Sequence, residues 1–251
     1  MENPTYISAY RCFEKLGYEM CSISMDEMGM RPAELEKSGA DLAYIMPSHQ
    51  FPMGMVMPMK RRMQLLAWAS RKAGRYLIED DYDSEFRPNG KPLPTLFSMD
   101  ACEKVIYMNT FSKSLTPTIR ISYMILPVHL ANQFYRQLSF YSCTVSNFEQ
   151  YTLAAFMNQG YFEKHINRMR LFYSRQRKKL IEAIEHSSLK EKCRIIENDS
   201  GLHFLLHLQT ELSDQCLSEQ LKQQGIKMRP LSEYFLTAEN SREHYFIINY
   251  S

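Results

Sequence analysis

The chain has 251 residues, of which 45% are hydrophobic and 23% are charged, and its formal net charge is +2. This composition predicts an ordinary globular protein, long enough for one large domain or two modest ones. No apolar run reaches the roughly 18 residues of a membrane helix, and Glu2, Glu14 and Glu19 exclude a signal peptide, so we expect a cytoplasmic protein without membrane contact. The net charge is too small to indicate nucleic-acid binding by itself.

The six cysteines are scattered along the chain, with no C-x-x-C pair and no histidine at ligand spacing. Neither a zinc site nor a disulfide framework is therefore predicted, and no other metal site is expected. We expect the thiols to be small buried groups at Cys12, Cys21, Cys102, Cys143, Cys193 and Cys216.

Short apolar strands alternate with helical patterns in the first half of the chain. Residues 41–47, "DLAYIMP", predict a buried strand, and Pro58 begins a helix. Further strands are predicted in "RYLIEDD", "KVIYMNT" and "RISYMILP". Crossovers of this length indicate an α/β fold with a mainly parallel sheet flanked by helices. One face of the helix after Pro58 is expected to pack on the sheet, with Met59, Met63, Leu66, Ala67 and Ser70.

The pattern changes after about Val128. An aromatic-rich helical stretch runs to about Gly160, and a long basic amphipathic helix follows, with Phe162, Ile166, Met169, Tyr173, Leu180 and Ile184 at helical spacing. Two predicted strands, "CRIIEN" and "LHFLLHL", a helix over Ser213–Gln224, the segment "IKMRP" and a last strand, "HYFIINYS", then indicate a smaller C-terminal α+β domain. We therefore divide the chain into 1–140, part of a large ligand-binding domain, and 141–251, the long helix and small domain.

Acidic residues follow the predicted strand "YLI" in the run "EDDYDSE". Such a run is often a solvated turn or a metal-binding loop. Its position directly after a buried strand favours a third interpretation, since parallel sheets bind ligands beyond the carboxyl ends of their strands. A carboxylate at this position can face a cofactor in the crevice; the acids of the run are Glu79, Asp80, Asp81, Asp83 and Glu85.

The next strand ends in "NTFSKSLTPTIR", which brings Lys113 to the same sheet edge. A lysine amine in a crevice of low dielectric can form an imine with an aldehyde. Arg120 offers two parallel donors to a phosphate, and the hydroxyls of Thr110 and Ser112 supply further donors. An aldehyde, a phosphate and a ring nitrogen that needs a carboxylate together describe pyridoxal 5'-phosphate.

Four motifs carry a resemblance to a known family: "ENPTY", "PSHQFPMG", "IEDDYDSEFR" and "NTFSKSLTPTIRISY". In this order they resemble the aminotransferase-like domain of bacterial MocR/GabR-type transcriptional regulators. That domain is similar to fold type I aminotransferases that use pyridoxal 5'-phosphate, and it follows a winged-helix DNA-binding domain of the GntR type. The resemblance is strong to about Pro127 and looser beyond it.

The resemblance implies a role for each matching residue. Lys113 matches the lysine that forms the internal aldimine, and Asp80 matches the aspartate that pairs with the pyridine nitrogen. Tyr82 matches the tyrosine near the phenolic oxygen of the cofactor, and Tyr6 the aromatic residue that stacks on its ring. Thr110, Ser112 and Arg120 match the phosphate-binding group.

Two positions depart from ordinary aminotransferases of this fold. Those enzymes carry an asparagine before the Pro-x-Gly turn, whereas this chain has Phe51 there, with His49 and Gln50 beside it. This is the pattern of the regulators, and His49 joins the predicted cofactor-binding residues. The last strand lacks the arginine that usually binds the substrate carboxylate; Arg229 is the candidate substitute, with a plain surface arginine as the alternative.

The resemblance also implies segments before "ENPTY" and after Ser251, and a winged helix, none of which lies in this sequence. DNA contact is therefore expected only through such an absent region. The favoured function is an effector-sensing domain that forms an aldimine with an amino acid or amine, as a homodimer by analogy. The alternatives are an active aminotransferase and a truncated scaffold that no longer binds the cofactor.

Overall fold

The computed structural model describes residues 1–87, 93–196, 200–237 and 241–251. Within these residues the strands form three sheets, one of three strands and two of four. The central sheet contains β4 (Leu42–Ile45), β5 (Tyr76–Asp80), β6 (Val105–Thr110) and β7 (Ser122–Ile125), in that spatial order. The pairings β4–β5 and β5–β6 are parallel, whereas β6–β7 is antiparallel. The predicted mainly parallel sheet is therefore confirmed, with an antiparallel strand at its edge.

Successive side chains of a strand point to opposite sides, and β4, β5 and β6 contribute side chains to a core cluster on each side. The odd-numbered residues Ala43, Ile45 and Leu77 belong to a core cluster with Trp68 of α3 (Met59–Ser70). The even-numbered Tyr44, Met46 and Ile78 form a second cluster, against which α1 (Ile7–Lys15) packs. This alternation decides which side chains beyond the strand ends face a cavity and which face the core.

The prediction of which face of α3 is buried is wrong. Met63 is 56% exposed and Met59 40% exposed. Arg61 donates to the carbonyl oxygens of Gly29 and Met30, at 2.9 and 2.6 Å. Hydrogen bonds of this kind allow guanidinium groups to be buried, so the buried face of α3 includes arginines that the apolar pattern places on the exposed side. The buried residues of the helix are Arg61, Arg62, Leu65, Trp68 and Ala69.

The N-terminal sheet joins β1 (Glu2–Asn3), β2 (Ile23–Asp26) and β3 (Gly29–Met30), with α2 (Pro32–Lys37) following. The β1–β2 pairing is parallel and β2–β3 is antiparallel. The short helices α4 (Leu96–Met99) and α5 (Phe111–Ser114) lie on either side of β6 in the chain. Each begins at a threonine whose side chain accepts a backbone N–H, which satisfies one of the free donors of the first turn.

The expected continuous helical stretch up to Gly160 is interrupted. It consists of α6 (Val128–Leu138) and α7 (Asn147–Asn158), and α7 begins at a capping box formed by Ser146 and Glu149. Both helices lie within the described residues, and none of their side chains is buried. Together with β7 they present what we call the aromatic face, whose exposed members include Tyr123, Phe134, Tyr135, Phe140, Tyr141, Phe148 and Tyr151.

The long helix α8 (Tyr161–Glu185) follows. Its predicted apolar stripe is confirmed, since Ile166 is buried against Phe86 and Leu202, with Phe162 and Met169 beside it. The C-terminal sheet has the order β10 (Arg229–Pro230), β11 (Tyr245–Asn249), β9 (His203–Leu208) and β8 (Cys193–Ile196), and all its pairings are antiparallel. The helix α9 (Asp214–Gln223) completes this α+β part. The domain boundary near residue 140 stays a prediction.

The expectation that the cysteines are buried is wrong. Cys12, Cys102 and Cys143 are exposed, and Cys21, Cys193 and Cys216 are half-buried. All six are free thiols. No helix in the described residues is long and apolar enough to cross a membrane.

Candidate functional site

A cavity of about 420 Å³ lies beyond the carboxyl ends of β5 and β6. This volume falls in the range of small-molecule sites, and the location is the one at which open α/β sheets bind ligands. Apolar contact surface is supplied by Met46, Phe51 and Met108. Seven of the predicted site residues line the cavity: Tyr6, Asp80, Tyr82, Thr110, Ser112, Lys113 and Arg120.

A larger cleft of about 740 Å³ lies elsewhere, at the β2–β3 hairpin, with Asp26, Arg31 and Arg242 in its wall. Its described lining contains none of the predicted cofactor-binding residues and no lysine. Size alone therefore does not mark the site, and the chemistry of the lining makes the smaller cavity the candidate site.

Lys113 lies on the short helix α5, directly after β6. The side chain of Thr110 accepts a hydrogen bond from the Ser112 backbone N–H at 3.1 Å and donates to the Ser112 hydroxyl at 3.0 Å. These two bonds fix the turn that presents the lysine to the cavity. The Lys113 amine donates to the Ser251 hydroxyl at 2.9 Å.

Arg120 closes the same edge of the cavity. Its backbone is left-handed, with φ of 50°, a conformation that is uncommon for a residue other than glycine and occurs often at functional sites. The side chain is exposed, and its guanidinium lies 3.5 Å from the Pro117 carbonyl oxygen. Several of its donors are therefore available to an anion bound beside Thr110 and Ser112.

Asp80 lies on the same side of the central sheet as Tyr44 and Ile78, since alternate residues of a strand point to the same side, and its side chain faces the cavity. The Tyr44 hydroxyl donates a short hydrogen bond to its carboxylate. Burial raises the pKa of Asp80 to about 6, the negative charges of Asp81 and Asp83 act in the same direction, and the Tyr44 hydrogen bond opposes them. Above this pKa the cavity holds a negative charge suited to a cationic ring nitrogen.

The interpretation of the acidic run as a solvated turn is wrong, because Glu79, Asp81 and Asp83 are buried. Glu79 is an odd-numbered residue and lies on the α3 side of the sheet, where its carboxylate accepts the backbone N–H groups of Leu96 and Phe97, the first residues of α4, at 2.9 Å. Burial raises the pKa of Glu79 to about 7. Only Asp80 among the acids of the run lines the cavity.

His49 lies behind the cavity, outside its described lining. Its Nδ1 atom is 3.0 Å from the Tyr82 hydroxyl oxygen and 2.9 Å from Asp83 Oδ2. Burial raises the pKa of Tyr82 well above its ordinary value, so this hydroxyl keeps its proton. The structure thus places His49 next to Tyr82 and not in the wall of the cavity.

Arg229 and Tyr6 occupy different positions relative to the cavity. Arg229 lies exposed on β10, beside Tyr234, whose hydrogen bond raises the pKa of the guanidinium. It is not among the residues that line the cavity. Tyr6 lies at the rim, 45% exposed, and its ring meets Phe51 edge to face at a centroid distance of 5.9 Å. A flat ring in the cavity would have the Tyr6 face available for stacking.

Sequence reasoning missed Tyr44 and Asn109. Tyr44 is a strand residue that reads as core, and only the parallel pairing of β4 with β5 brings its hydroxyl to Asp80. Asn109 lines the cavity, and its amide donates to the Tyr107 hydroxyl at 3.0 Å. The polar residue at the end of the apolar strand "VIYMN" was the available signal for Asn109.

Solved structures define the class of this fold. The chain superimposes on kynurenine aminotransferase of Pyrococcus horikoshii, solved in complex with PMP, with a TM-score of 0.83 and 26% identity. The match covers 99% of this chain and 63% of the other. The architecture is that of the fold type I aminotransferases, as predicted.

Sequence comparison names the family. The model of "Aminotransferase class I and II" matches residues 1–242, and the chain belongs to this family. It is 42% identical to the uncharacterized HTH-type transcriptional regulator YdeL of Bacillus subtilis (strain 168), over 92% of this chain and 50% of that protein. It is 34% identical to the probable rhizopine catabolism regulatory protein MocR of Rhizobium meliloti, over 94% and 47%. The chain spans about half the length of these relatives, and the predicted resemblance to MocR-type regulators is confirmed.

Proposed function

We propose that this chain is the effector-sensing domain of a bacterial MocR-type transcriptional regulator and that it binds pyridoxal 5'-phosphate. The observation that carries the proposal is the cavity that joins the Lys113 amine to the Asp80 carboxylate, in a chain whose curated relatives include regulators. Pyridoxal 5'-phosphate is the expected cofactor, since the family is that of the class I and II aminotransferases and the solved aminotransferase contains PMP.

The residues of the cavity fit this cofactor. When bound, it supplies an aldehyde that reacts with amines and a ring that withdraws electrons. Lys113 offers the amine, and Asp80 offers an ionised carboxylate for a protonated ring nitrogen. Arg120 with the two hydroxyls of Thr110 and Ser112 offers donors to a phosphate. Tyr6 offers an aromatic face at the rim.

The ligand of the sensing domain is proposed to be an amino acid or another amine, which would compete with Lys113 for the aldehyde. The cavity contains Arg120 but not Arg229, so the effector carboxylate would need a partner other than Arg229. We propose a homodimer in the cytoplasm, whose DNA contact belongs to a winged-helix region outside this chain. Sensing is favoured over turnover because the chain is similar in sequence to transcriptional regulators. The fold by itself does not distinguish the two functions.

The first test is a titration of the purified chain with pyridoxal 5'-phosphate, followed by visible absorbance. We expect a band distinct from that of the free cofactor, and we expect Lys113→Ala to abolish it. Lys222→Ala, which removes an exposed lysine of α9, is the matched control and should leave the band unchanged. A spectrum identical to that of the free cofactor would mean that this chain is a scaffold without a working site.

Sensing and turnover are separated by adding amino acids to the loaded protein. A spectral change without release of a keto acid supports the sensing domain. Stoichiometric release of a keto acid, with conversion of the cofactor to its amine form, would instead establish an active aminotransferase, the activity of the structural neighbour.

A further inference from the structure

A buried polar cluster connects the cavity to the C-terminal sheet. It contains Tyr82, which lines the cavity, and three side chains behind it that are almost inaccessible: His49 is 2% exposed, Asp83 1% and His203 5%. The imidazole rings of His49 and His203 lie 4.4 Å apart between centroids. Since buried polar groups need partners, the hydrogen bonds of this cluster decide how each side chain is oriented.

One nitrogen of His49 has two oxygen neighbours. Asp83 Oδ2 lies 2.9 Å from Nδ1, and the Tyr82 hydroxyl oxygen lies 3.0 Å from it. A neutral imidazole nitrogen carries either a proton or a lone pair, and a lone pair facing a carboxylate at this distance would be repelled. The proton is therefore assigned to Nδ1, which donates to Asp83 and is shared with the Tyr82 oxygen.

This assignment determines the direction of the Tyr82 proton. A hydroxyl oxygen that faces an N–H proton accepts, and its own hydrogen is directed elsewhere. Since Tyr82 lines the cavity, this hydrogen is available to an acceptor bound there. The other nitrogen of His49, Nε2, has no hydrogen-bond partner among the described residues, in keeping with a tautomer whose proton is on Nδ1.

Residues 200–203 of the C-terminal part pack directly against this cluster. Gly201 has φ of 70°, and a Cβ atom placed on it would lie 1.8 Å from His49 Nδ1, so only glycine fits here. The Leu202 backbone N–H donates to Asp83 Oδ2 at 3.2 Å. The Ser200 hydroxyl donates to the Ser48 carbonyl at 3.1 Å, and His203 Nε2 lies 3.2 Å from the Pro52 carbonyl oxygen.

A metal site is the competing explanation, because the ligand atoms of His49, Asp83 and His203 lie within 4.8 Å of one another. The Gly201 backbone already fills the space beside His49 Nδ1. The 2.9 Å between Nδ1 and Asp83 is also a hydrogen-bond distance, shorter than the roughly 3.3 Å between two ligands of tetrahedral zinc. The geometry favours a hydrogen-bonded cluster.

We propose that His49 and Asp83 are positioning residues that aim the Tyr82 hydroxyl into the cavity, and that residues 200–203 hold His49 in this orientation. A displacement of residues 200–203 from the central sheet would release His49 and allow Tyr82 to turn. The position of the C-terminal sheet thereby regulates one contact of the cavity. The inference rests on the proposed function, because Tyr82 is taken there as a cofactor-binding side chain.

The test is made first on the protein without cofactor. NMR of the imidazole nitrogens reports which nitrogen of His49 carries the proton, and labelling of tyrosine Cζ reports the environment of the Tyr82 hydroxyl. We expect a protonated Nδ1 in the wild type. Tyr82→Phe keeps the ring and should shift the His49 Nδ1 signal, which identifies the hydrogen bond without disturbing the backbone.

The matched pair of variants is Gly201→Ala and Gly225→Ala. Both glycines have positive φ, 70° and 79°, but Gly225 has no atom within 4 Å of an added Cβ. We expect Gly201→Ala to change the His49 and Tyr82 signals and Gly225→Ala to leave them unchanged. Gly201→Ala should also weaken cofactor binding about fivefold to tenfold, the effect of about one hydrogen bond.

Three results would overturn the inference: an unprotonated Nδ1 in the wild type, equal effects of the two glycine variants, or shifts of the His49 and His203 signals on adding one equivalent of Zn²⁺. Should Gly201→Ala not fold, Asp83→Asn and Tyr82→Phe still test the His49 hydrogen bonds. If the wild type does not bind pyridoxal 5'-phosphate, the proposed function fails. The NMR result on the cofactor-free protein still tests the hydrogen bonds of His49 independently of the cofactor.

Discussion

The charge of Asp80 depends on Tyr44. Burial raises the pKa of this carboxyl to about 6, and the Tyr44 hydrogen bond is what keeps it from rising further. Tyr44→Phe removes the bond, so we expect the pKa of Asp80 to increase by about 1–2 units, since a hydrogen bond to a charged group contributes roughly 1.5–3 kcal/mol. Carbon-13 NMR of the aspartate carboxyl groups against pH measures this shift.

Tyr107→Phe is the control for that experiment. It removes an equivalent hydroxyl, but the Tyr107 hydroxyl donates to Asp81 at 2.8 Å and not to Asp80. The Asp80 titration should therefore move only in Tyr44→Phe. Identical titration curves for the wild type and Tyr44→Phe would show that the hydroxyl does not stabilise the carboxylate.

Sequence could predict Lys113 and Asp80 but not the tyrosine that tunes Asp80. Asp80 is the last residue of β5 and Lys113 follows β6 within three residues, and ligands bind at the edge where the parallel strands of such a sheet end. Tyr44 lies inside an apolar strand, where an aromatic residue is typical of the core. Its hydroxyl meets Asp80 only because of the register that pairs Tyr44 with Ile78.

The helix α3 is held by a face that its apolar pattern did not predict. Leu65 is fully buried in the cluster with Ala43 and Leu77, whereas Met63 is 56% exposed. We expect Leu65→Ala to reduce the free energy of unfolding by about 2–5 kcal/mol, because it removes buried methyl groups and leaves a cavity. Chemical denaturation measures this change.

Met63→Ala on the same helix is the matched control. Because Met63 is mostly exposed, we expect its truncation to change the free energy of unfolding by no more than about 0.5 kcal/mol. If both variants lowered the free energy of unfolding equally, or Met63→Ala lowered it more, the buried face would be the one that the spacing of apolar residues predicted.

The strands were predictable where the helix face was not. Four short apolar runs predicted β4 to β7, because runs of this composition separated by helical patterns are typical of strands. For α3 the spacing of methionines indicated one face, but Arg62 donates to the carbonyl oxygens of Pro47, Met57 and Pro94. Apolar periodicity cannot detect a buried arginine whose donors are satisfied by backbone carbonyls of the β4–α3 connection and of the loop before α4.

The molecule as a whole presents its aromatic face without a covering layer in the described residues. The strand β7 at the edge of the central sheet is exposed along its whole length, and α6 and α7 bury no residue. Exposed apolar patches of this kind mark interaction surfaces. The homodimer is therefore proposed to use this face.

The association is tested by sedimentation velocity over a range of concentrations. Phe148 and Tyr151 are 80% and 77% exposed on α7, so Phe148→Ser with Tyr151→Ser should not disturb the core. If these rings are buried in a dimer, we expect association to weaken at least about tenfold, because buried aromatic residues dominate interface energies. Leu16→Ser, which removes a 74% exposed leucine after α1, should leave it unchanged. A monomer at every concentration would contradict the proposed dimer, and equal weakening by both changes would place the interface elsewhere.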